Sequence, residues 1–571
     1  MKSQKFCVFF LIFLLVALSG KAYKVKSKDG VEYFDKGYLE YKEGIPFLYL
    51  AGKPYNVGLQ YGVLLKKRIN EFYREVDDYK KGMLKRAPWY KRVFARLFSN
   101  IMLNLKINSL KKGLPQGYLA QLKGLSDGSG IRLEDILFVT FFMEIIRECS
   151  SFIIQAEDGR IVQGRNFDFN VEFLGNYPVV VDYSIENRLR CISIGFIGVF
   201  PITTGVNEKG LSYSINLAGG LYSGKDYSRV LEFNRVLETC KNLAEAENLL
   251  KGFKAKEGFL LCLGSQEDKS GAIYELLGKD VVRNDMKEGS IYAANRFISR
   301  DMQKKTSIYS MQTYNIARED KFRELSSIDM DNTINQAICI LSNTDFYQYK
   351  EEPIPSINNF LTLQSVVIDS KNSTIYFAYA THYAGLGRFI RYNYKTYESS
   401  VYKEEDERLK FYNIMAKWNK RERTIDWKNS ALLKKLVLEI KESGIENLLT
   451  LPLLADIYIE LGKEKEAKSC IDKIIAKYPD FSLGYEYKAF FYEKKERYQS
   501  AIDCYLKALD SAILSEADRA YNTYRLAMLY KKINDLANAH HYAKLSLNLY
   551  KGYCVPHWLK KEVNELEKLL K

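Results

Sequence analysis

Cys149 heads the stretch ECSSFIIQAEDGRIVQGRNFDFN, Glu148 to Asn170, and Arg165, Asn166 and Asp168 close it. A thiol attacks a carbonyl efficiently only when a base takes its proton. Histidine is the usual base, and this chain has four: His382, His540, His541 and His557. None precedes residue 382, and a lone His382 in the tyrosine-rich ATHYAG reads as a packed or surface group. Metal-assisted hydrolysis lacks ligands for the same reason. One arrangement needs no histidine. If the chain is cut before Cys149, the new α-amino group has a pKa near ~7.7–8.0 and is partly unprotonated at neutral pH. It can then serve as the base for the thiol. Nucleophile and base belong to one residue, and covalent structure nearly fixes their geometry.

The elements that must position these residues follow from pattern. SSFIIQA and RIVQGRNFDF read as strand, turn, strand. Similar β-rich runs, among them PVVVDYSI, CISIGFIG, GLSYSINLA, FLLCLG, GAIYELL, LTLQSVVID and TIYFAYA, continue to about Tyr394, with Gly, Asp and Asn between them. One helical segment, YSRVLEFNRVLETCKNLAEAENLLKG, interrupts them. Strands with a few central helices predict an α+β layered domain. The expected division is 23–148 as an N-terminal subunit, mixed and then mostly helical, and 149–396 as the catalytic core. A charged helical linker over 397–446 and helical repeats over 447–571 follow. In the repeats Ala455, Tyr458, Gly462, Ala467, Ile471 and Pro479 occupy tetratricopeptide-type positions. Ala489, Tyr492, Tyr498, Ala501, Tyr505 and Ala508 repeat the pattern with a shift of 34 residues, and Ala527, Tyr530, Ala539 and Ala543 continue it.

Length and charge set further bounds. A chain of 571 residues needs more than one domain. Its nine cysteines show no CxxC pair, which argues against a disulfide framework or a structural zinc site. Residues 1–22 read as a signal peptide: Lys2 and Lys5, an apolar run from Phe6 to Leu18, then small Gly20 and Ala22. The expected location is therefore periplasmic, extracellular or at the cell envelope, the alternative being an uncleaved membrane anchor. The net charge is +15, and Lys80 to Lys112 contains no acidic residue. Trp89, Phe94, Leu97, Phe98 and Ile101 fall near helical spacing there. Such a basic amphipathic helix suits a peripheral membrane contact or the cover of an apolar cleft; no nucleic-acid motif accompanies it.

The stretch from Cys149 resembles the start of the catalytic subunit in N-terminal-nucleophile (Ntn) amide hydrolases. That group includes the choloylglycine hydrolase/penicillin V acylase family and acid ceramidase. The greatest similarity is to the autoproteolytic peptidase family typified by acyl-CoA:6-aminopenicillanic acid acyltransferase. LAGKPYNVGLQYGVLLKKRI, LPQGYLAQLKGLSDGSGIRLEDIL, GVNEKGLSYSIN, AANRFIS and LTLQSVVIDSKNSTIYFA extend the likeness over roughly 37–394. It implies an αββα sandwich, with the repeats as a separate all-α region. It implies cleavage at Glu148–Cys149 through an N→S acyl shift, then hydrolysis or acyl transfer from a linear N-acyl amide through a thioester on Cys149. By the same resemblance Arg165 steadies the thiolate, Asp168 orients the α-amine, and Asn216 and Asn295 donate to the tetrahedral oxyanion. No metal or organic cofactor is implied; the substrate is an N-acyl amide, the basic aromatic helix from Lys80 would suit the border of a groove for a lipid-like acyl chain, and the repeats offer a site for a protein or peptide. Two departures stand out. Arg296 replaces the usual His after the second Asn, and the further arginine of several relatives has only Arg318 as a loose counterpart. The alternative reading is an inactive Ntn fold serving as a repeat-based binding protein.

Overall fold

The computed structural model describes residues 23–85, 114–142, 148–169, 171–221, 230–306, 313–328, 332–344, 357–409, 429–442, 444, 446, 450–511, 514, 516–551 and 560–570. The expected signal peptide, and the basic stretch beyond Lys85 up to Lys112, lie outside the described residues. Among the described residues no helix is long and apolar enough to cross a membrane.

Two sheets carry the catalytic region. The first runs β1 (Lys26–Lys28), β2 (Val31–Phe34), β3 (Gly37–Lys42), β4 (Ile45–Gly52), β7 (Pro178–Ile185), β8 (Cys191–Phe196), β9 (Thr204–Asn207), β10 (Leu211–Leu221), β11 (Ala255–Ser265), β12 (Ser270–Gly278) and β13 (Asp280–Asp285). The second runs β14 (Ser290–Ala293), β5 (Glu148–Gln155), β6 (Ile161–Asp168), β15 (Thr362–Asp369), β16 (Thr374–Tyr379), β17 (Phe389–Asn393) and β18 (Ser399–Lys403). Paired strands are antiparallel apart from β4 and β7, which run parallel with Phe47 against Val180.

Strand alternation gives each sheet two apolar faces. The inner faces meet: Phe47, Ile192 and Ile194 pack against Val366, Ile368 and Phe377, and Ile153 and Ile161 against Leu260, Cys262 and Ile273. Helices α1 (Pro54–Leu64), α2 (Lys66–Lys85), α3 (Gln116–Ser129), α4 (Leu133–Phe142), α5 (Val230–Thr239) and α6 (Leu243–Leu250) cover the outside of the first sheet. Helices α7 (Thr313–Ser326) and α8 (Thr333–Leu341) cover the second, with Phe322 and Ile338 over Phe152 and Val367. The layers are therefore α, β, β, α, as expected. The upstream glycines have a plain cause. Gly58 and Gly124 lie where α1 and α3 touch backbone to backbone; a Cβ would come within 1.8 Å of Gln121 O and 2.0 Å of Tyr55 O, respectively.

The sheet extends past residue 396. β18 pairs with β17, Tyr392 opposite Ser399, inside the segment read as a linker. An edge strand carrying polar and charged residues looks like linker in a sequence. Beyond it stand helices α9 (Ser430–Glu442), α10 (Thr450–Glu460), α11 (Glu464–Lys477), α12 (Ser482–Lys494), α13 (Tyr498–Leu509), α14 (Glu516–Lys532), α15 (Leu536–Lys551) and α16 (Lys560–Leu570). Leu433, Leu436 and Ile440 of α9 join the core of α10 and α11. Ala455, Ala467, Ala489, Ala501, Ala527, Ala539 and Ala543 are all fully buried, so these small side chains are where paired helices approach.

Candidate active site

The β5–β6 register decides where each side chain of the opening stretch goes. Cys149 lies opposite Phe167, Ser151 opposite Arg165, and Glu148 opposite Asp168. Directly paired residues share a face. Cys149 and Arg165 therefore point between the sheets, while Asp168 points to the helical side. Both can reach Cys149, one at its side chain and the other near its main chain.

Between the sheets, Arg165 is almost wholly buried and spends its guanidinium on four acceptors. Nη1 donates to Thr203 O at 2.7 Å and to Thr204 Oγ1; Nη2 donates to Ile215 O at 2.7 Å and to Cys149 Sγ at 3.3 Å. Two carbonyls and a hydroxyl cannot carry negative charge. The sulfur is the partner that can, and an N–H of a cation aimed at it stabilises the anionic form. Burial pushes the Cys262 thiol up to about 12, against a hydrogen bond with Ser214 and the charge of Arg165, and raises Cys191 well above its ordinary range.

On the helical side, Cys149 N–H donates to Asn295 Oδ1 at 2.8 Å. Arg318 of α7 binds the same oxygen through Nη2 at 3.0 Å, and its Nη1 lies 3.1 Å from Ser150 Oγ and 3.4 Å from Cys149 O. Asp168 stands 3.6 Å from Arg318 Nη1 and accepts from Thr362 Oγ1 at 2.7 Å and Asn359 Nδ2 at 3.0 Å. Tyr292, raised to about 12 by burial, donates to Ser150 Oγ at 2.9 Å.

The structure thus brings Cys149, Arg165, Asp168 and Asn295 into one network. Asn216 sits one step away. Its Oδ1 accepts from Ser151 Oγ at 2.8 Å, and its Nδ2 donates to Ala293 O at 3.0 Å and Ala294 O at 3.3 Å. Asn295 Nδ2 in turn donates to Leu217 O at 2.8 Å. In the continuous chain both amide groups tie β10 to the end of β14, and each turns its oxygen towards β5. His382 is held by Phe360 O at 2.8 Å and lies 3.5 Å from Glu172.

Sequence reasoning underrated Arg318 and missed Asn315, whose Oδ1 accepts from Arg318 Nη2 at 2.6 Å. Their spacing of one helical turn was the available signal, but many helices carry such a pair. Residues 154–382 match the family profile of acyl-coenzyme A:6-aminopenicillanic acid acyl-transferase. The matched stretch takes in Arg165, Asp168, Asn216, Asn295 and Arg318, and it begins just after Cys149.

Acid ceramidase of Mus musculus is 26% identical over 220 residues, 34% of this chain and 56% of that protein. Protein dcd1B of Dictyostelium discoideum is 26% identical over 296 residues, 48% of this chain and 55% of that one. The chain thus spans about half the length of the curated relatives it matches. Among solved structures, the Caenorhabditis elegans N-acylethanolamine-hydrolyzing acid amidase ortholog aligns with a TM-score of 0.29 at 18% identity, over 39% of this chain and 93% of that one. Penicillin V acylase from Agrobacterium tumefaciens aligns with a TM-score of 0.28 at 16% identity, over 43% and 86%. Residues 453–480 match the tetratricopeptide repeat, over most of α10 and α11.

Proposed function

We propose that the chain is a self-cleaving thiol amidase or acyltransferase with Cys149 as nucleophile. The observation that carries this is the double hold on Cys149: Arg165 Nη2 on its sulfur at 3.3 Å and Asn295 Oδ1 on its N–H at 2.8 Å. In maturation, Sγ adds to the Glu148 carbonyl carbon. The C–N bond breaks as the nitrogen takes up a proton, and water cleaves the thioester, leaving a Glu148 carboxylate and a Cys149 α-amine. In turnover that amine accepts the thiol proton while Sγ attacks a linear amide. The amide C–N bond breaks as the Cys149 α-ammonium gives its proton to the departing amine, and the acyl group then passes from the thioester to water or to another amine.

An apolar acyl group fits the surroundings. A cavity of about 60 Å³ is lined by Phe72, Val76, Phe138, Phe169, Val171 and Phe173, among others. Phe169 is in ring contact at 5.9 Å with Phe167, the residue opposite Cys149. The apolar lining favours an apolar acyl group on the N-acyl amide, with a lipid-like chain as the extended form of that proposal. Export through residues 1–22, and recruitment of a protein or peptide by the repeats, complete the proposal.

One observation favours the second reading, an inactive binding protein: Cys149 is completely buried and the amide groups of Asn216 and Asn295 are engaged with carbonyls. Intact-mass analysis of the purified protein separates the two. The enzyme reading expects two chains, the second beginning at Cys149, and a single uncut chain in Cys149→Ala, which also hydrolyses no N-acyl amide. Splitting that persists in Cys149→Ala sinks the autocatalytic mechanism.

A further inference from the structure

Asn295 and Arg318 reach Cys149 from two separate elements, and each is followed by a residue of opposite charge to the other's neighbour. Arg296 follows Asn295 on the chain leaving β14, and Glu319 follows Arg318 on α7. Arg296 Nη2 pairs with Glu319 Oε2, while Arg318 Nη2 donates to Asn295 Oδ1 at 3.0 Å. Two consecutive residues of one segment therefore grip two consecutive residues of the other.

The ion pair is a poor candidate for a mere stabiliser. Its side chains are only 15% and 8% exposed, and burial raises the Glu319 carboxyl, with Arg296 opposing that shift. Among the described residues, Arg296 Nε and Glu319 Oε1 are buried without a hydrogen-bond partner. Desolvation of such a pair offsets much of its attraction. Its geometric effect remains. Besides the bonds of Arg318 and the Gln336 Nε2 bond to Ser326 O at 3.1 Å, α7 rests on the second sheet through Phe322, stacked on Tyr292 at 5.0 Å and against Phe152 at 5.3 Å. Apolar contacts of this kind set the depth of a helix; they are non-directional and leave its rotation loosely defined.

We infer that the Arg296–Glu319 pair is a positioning device, which fixes the rotation of α7 so that Arg318 stays on Asn295 Oδ1 and the Cys149 carbonyl. It acts through Arg318 and Asn295 and touches no reacting atom. The inference rests on the proposed role of Cys149.

The test is the double variant Arg296→Met/Glu319→Leu, which removes the pair without leaving a buried charge unpaired. Replacing a buried ion pair by apolar side chains is often neutral for stability, so Tm should change little. Displacement of a catalytic group by about an ångström costs up to ~100-fold. The expected result is kcat lower by about 10- to 100-fold on an N-acyl amide that the wild type turns over, with KM within about twofold. Should the double variant fail to fold, Glu319→Gln, isosteric and able to keep one hydrogen bond, is expected to lower kcat by about 3- to 10-fold at unchanged KM. A folded variant with wild-type kcat overturns the inference while leaving Cys149 in place. A wild-type chain that neither splits nor turns over any N-acyl amide overturns the reading of Cys149, and this inference with it.

Discussion

Arg165→Met isolates the charge that faces the sulfur. A unit charge 3.3 Å from an anionic Cys149 would attract it by about 5 kcal/mol at an effective dielectric of ~20. Loss of hydration opposes this, and measured hydrogen bonds to charged groups are worth ~1.5–3 kcal/mol. The variant should therefore slow attack of the sulfur by about 10- to 150-fold. It also strips the donor from the buried Thr204 Oγ1 and Ile215 O, while Thr203 O keeps the Ile215 N–H at 3.2 Å. Buried acceptors left unpaired cost ~1–3 kcal/mol each, so Tm should fall as well, and the assay belongs well below the new midpoint. Splitting at Glu148–Cys149 reports attack without any knowledge of the substrate. Pulse–chase after cell-free synthesis, with densitometry of the uncut chain, gives its rate, and circular dichroism certifies the fold. Arg165→Lys, which keeps the charge and loses the planar fork, should fall between the two. A folded Arg165→Met chain that splits at the wild-type rate would refute the reasoning.

Two further outcomes follow from packing and burial. In Gly124→Ala the new Cβ would meet Tyr55 O at 2.0 Å, a clash with backbone that no side-chain rotation relieves. The expected loss is about 3 kcal/mol or more, read as a lower Tm and a lower soluble yield, while Gly130→Ala, with open space around its Cβ and only its positive φ to strain it, should lose less. Burial, aided by Asp518, raises the Glu486 carboxyl from 4.5 to about 7, against the lowering effect of its hydrogen bond from Asn522. The folded repeats hold that proton more tightly than the unfolded chain does. The contribution of Glu486 to their stability is therefore fully present below about pH 4.5 and is lost as the pH rises to about 7, by at most about 3 kcal/mol. Part of the Glu486 side chain still meets solvent, so the measured fall should be smaller. Thermal melts across that range should show it, and Glu486→Gln should flatten the dependence; equal slopes for both proteins would disprove it.

The hairpin was legible because strand alternation and a turn between two β-rich runs are local signals, and the residues at its ends are only a register apart. The repeats were legible because close helix approach demands small residues at a fixed period, and Ala455, Ala489 and their counterparts obey it. Arg318 was not, since nothing local tells a helical arginine that it will land on a main-chain carbonyl 169 positions earlier. Nor was the direction of the Asn216 and Asn295 amides. Either end of an amide can face a nucleophile, and the partners that decide it, Ala293 O, Ala294 O and Leu217 O, belong to other strands. β18 escaped because an outermost strand needs little apolar content to pair.

The parallel contact of β4 with β7 has a consequence for the life of the molecule. β1 to β4 and α1 to α4 all precede Glu148, yet they supply four strands of the first sheet and much of the core beneath it. A cut at Glu148–Cys149 would therefore sever a bond without parting the pieces, which stay wound through one another as a permanent pair. The cut would also erase the instruction for making that pair. A continuous chain brings β4 to β7 as an intramolecular event, whereas two fragments must find each other in solution, each exposing half of a core. Such an enzyme folds once: heat or denaturant would retire the cut form for good, while the uncut Cys149→Ala chain could be unfolded and recovered.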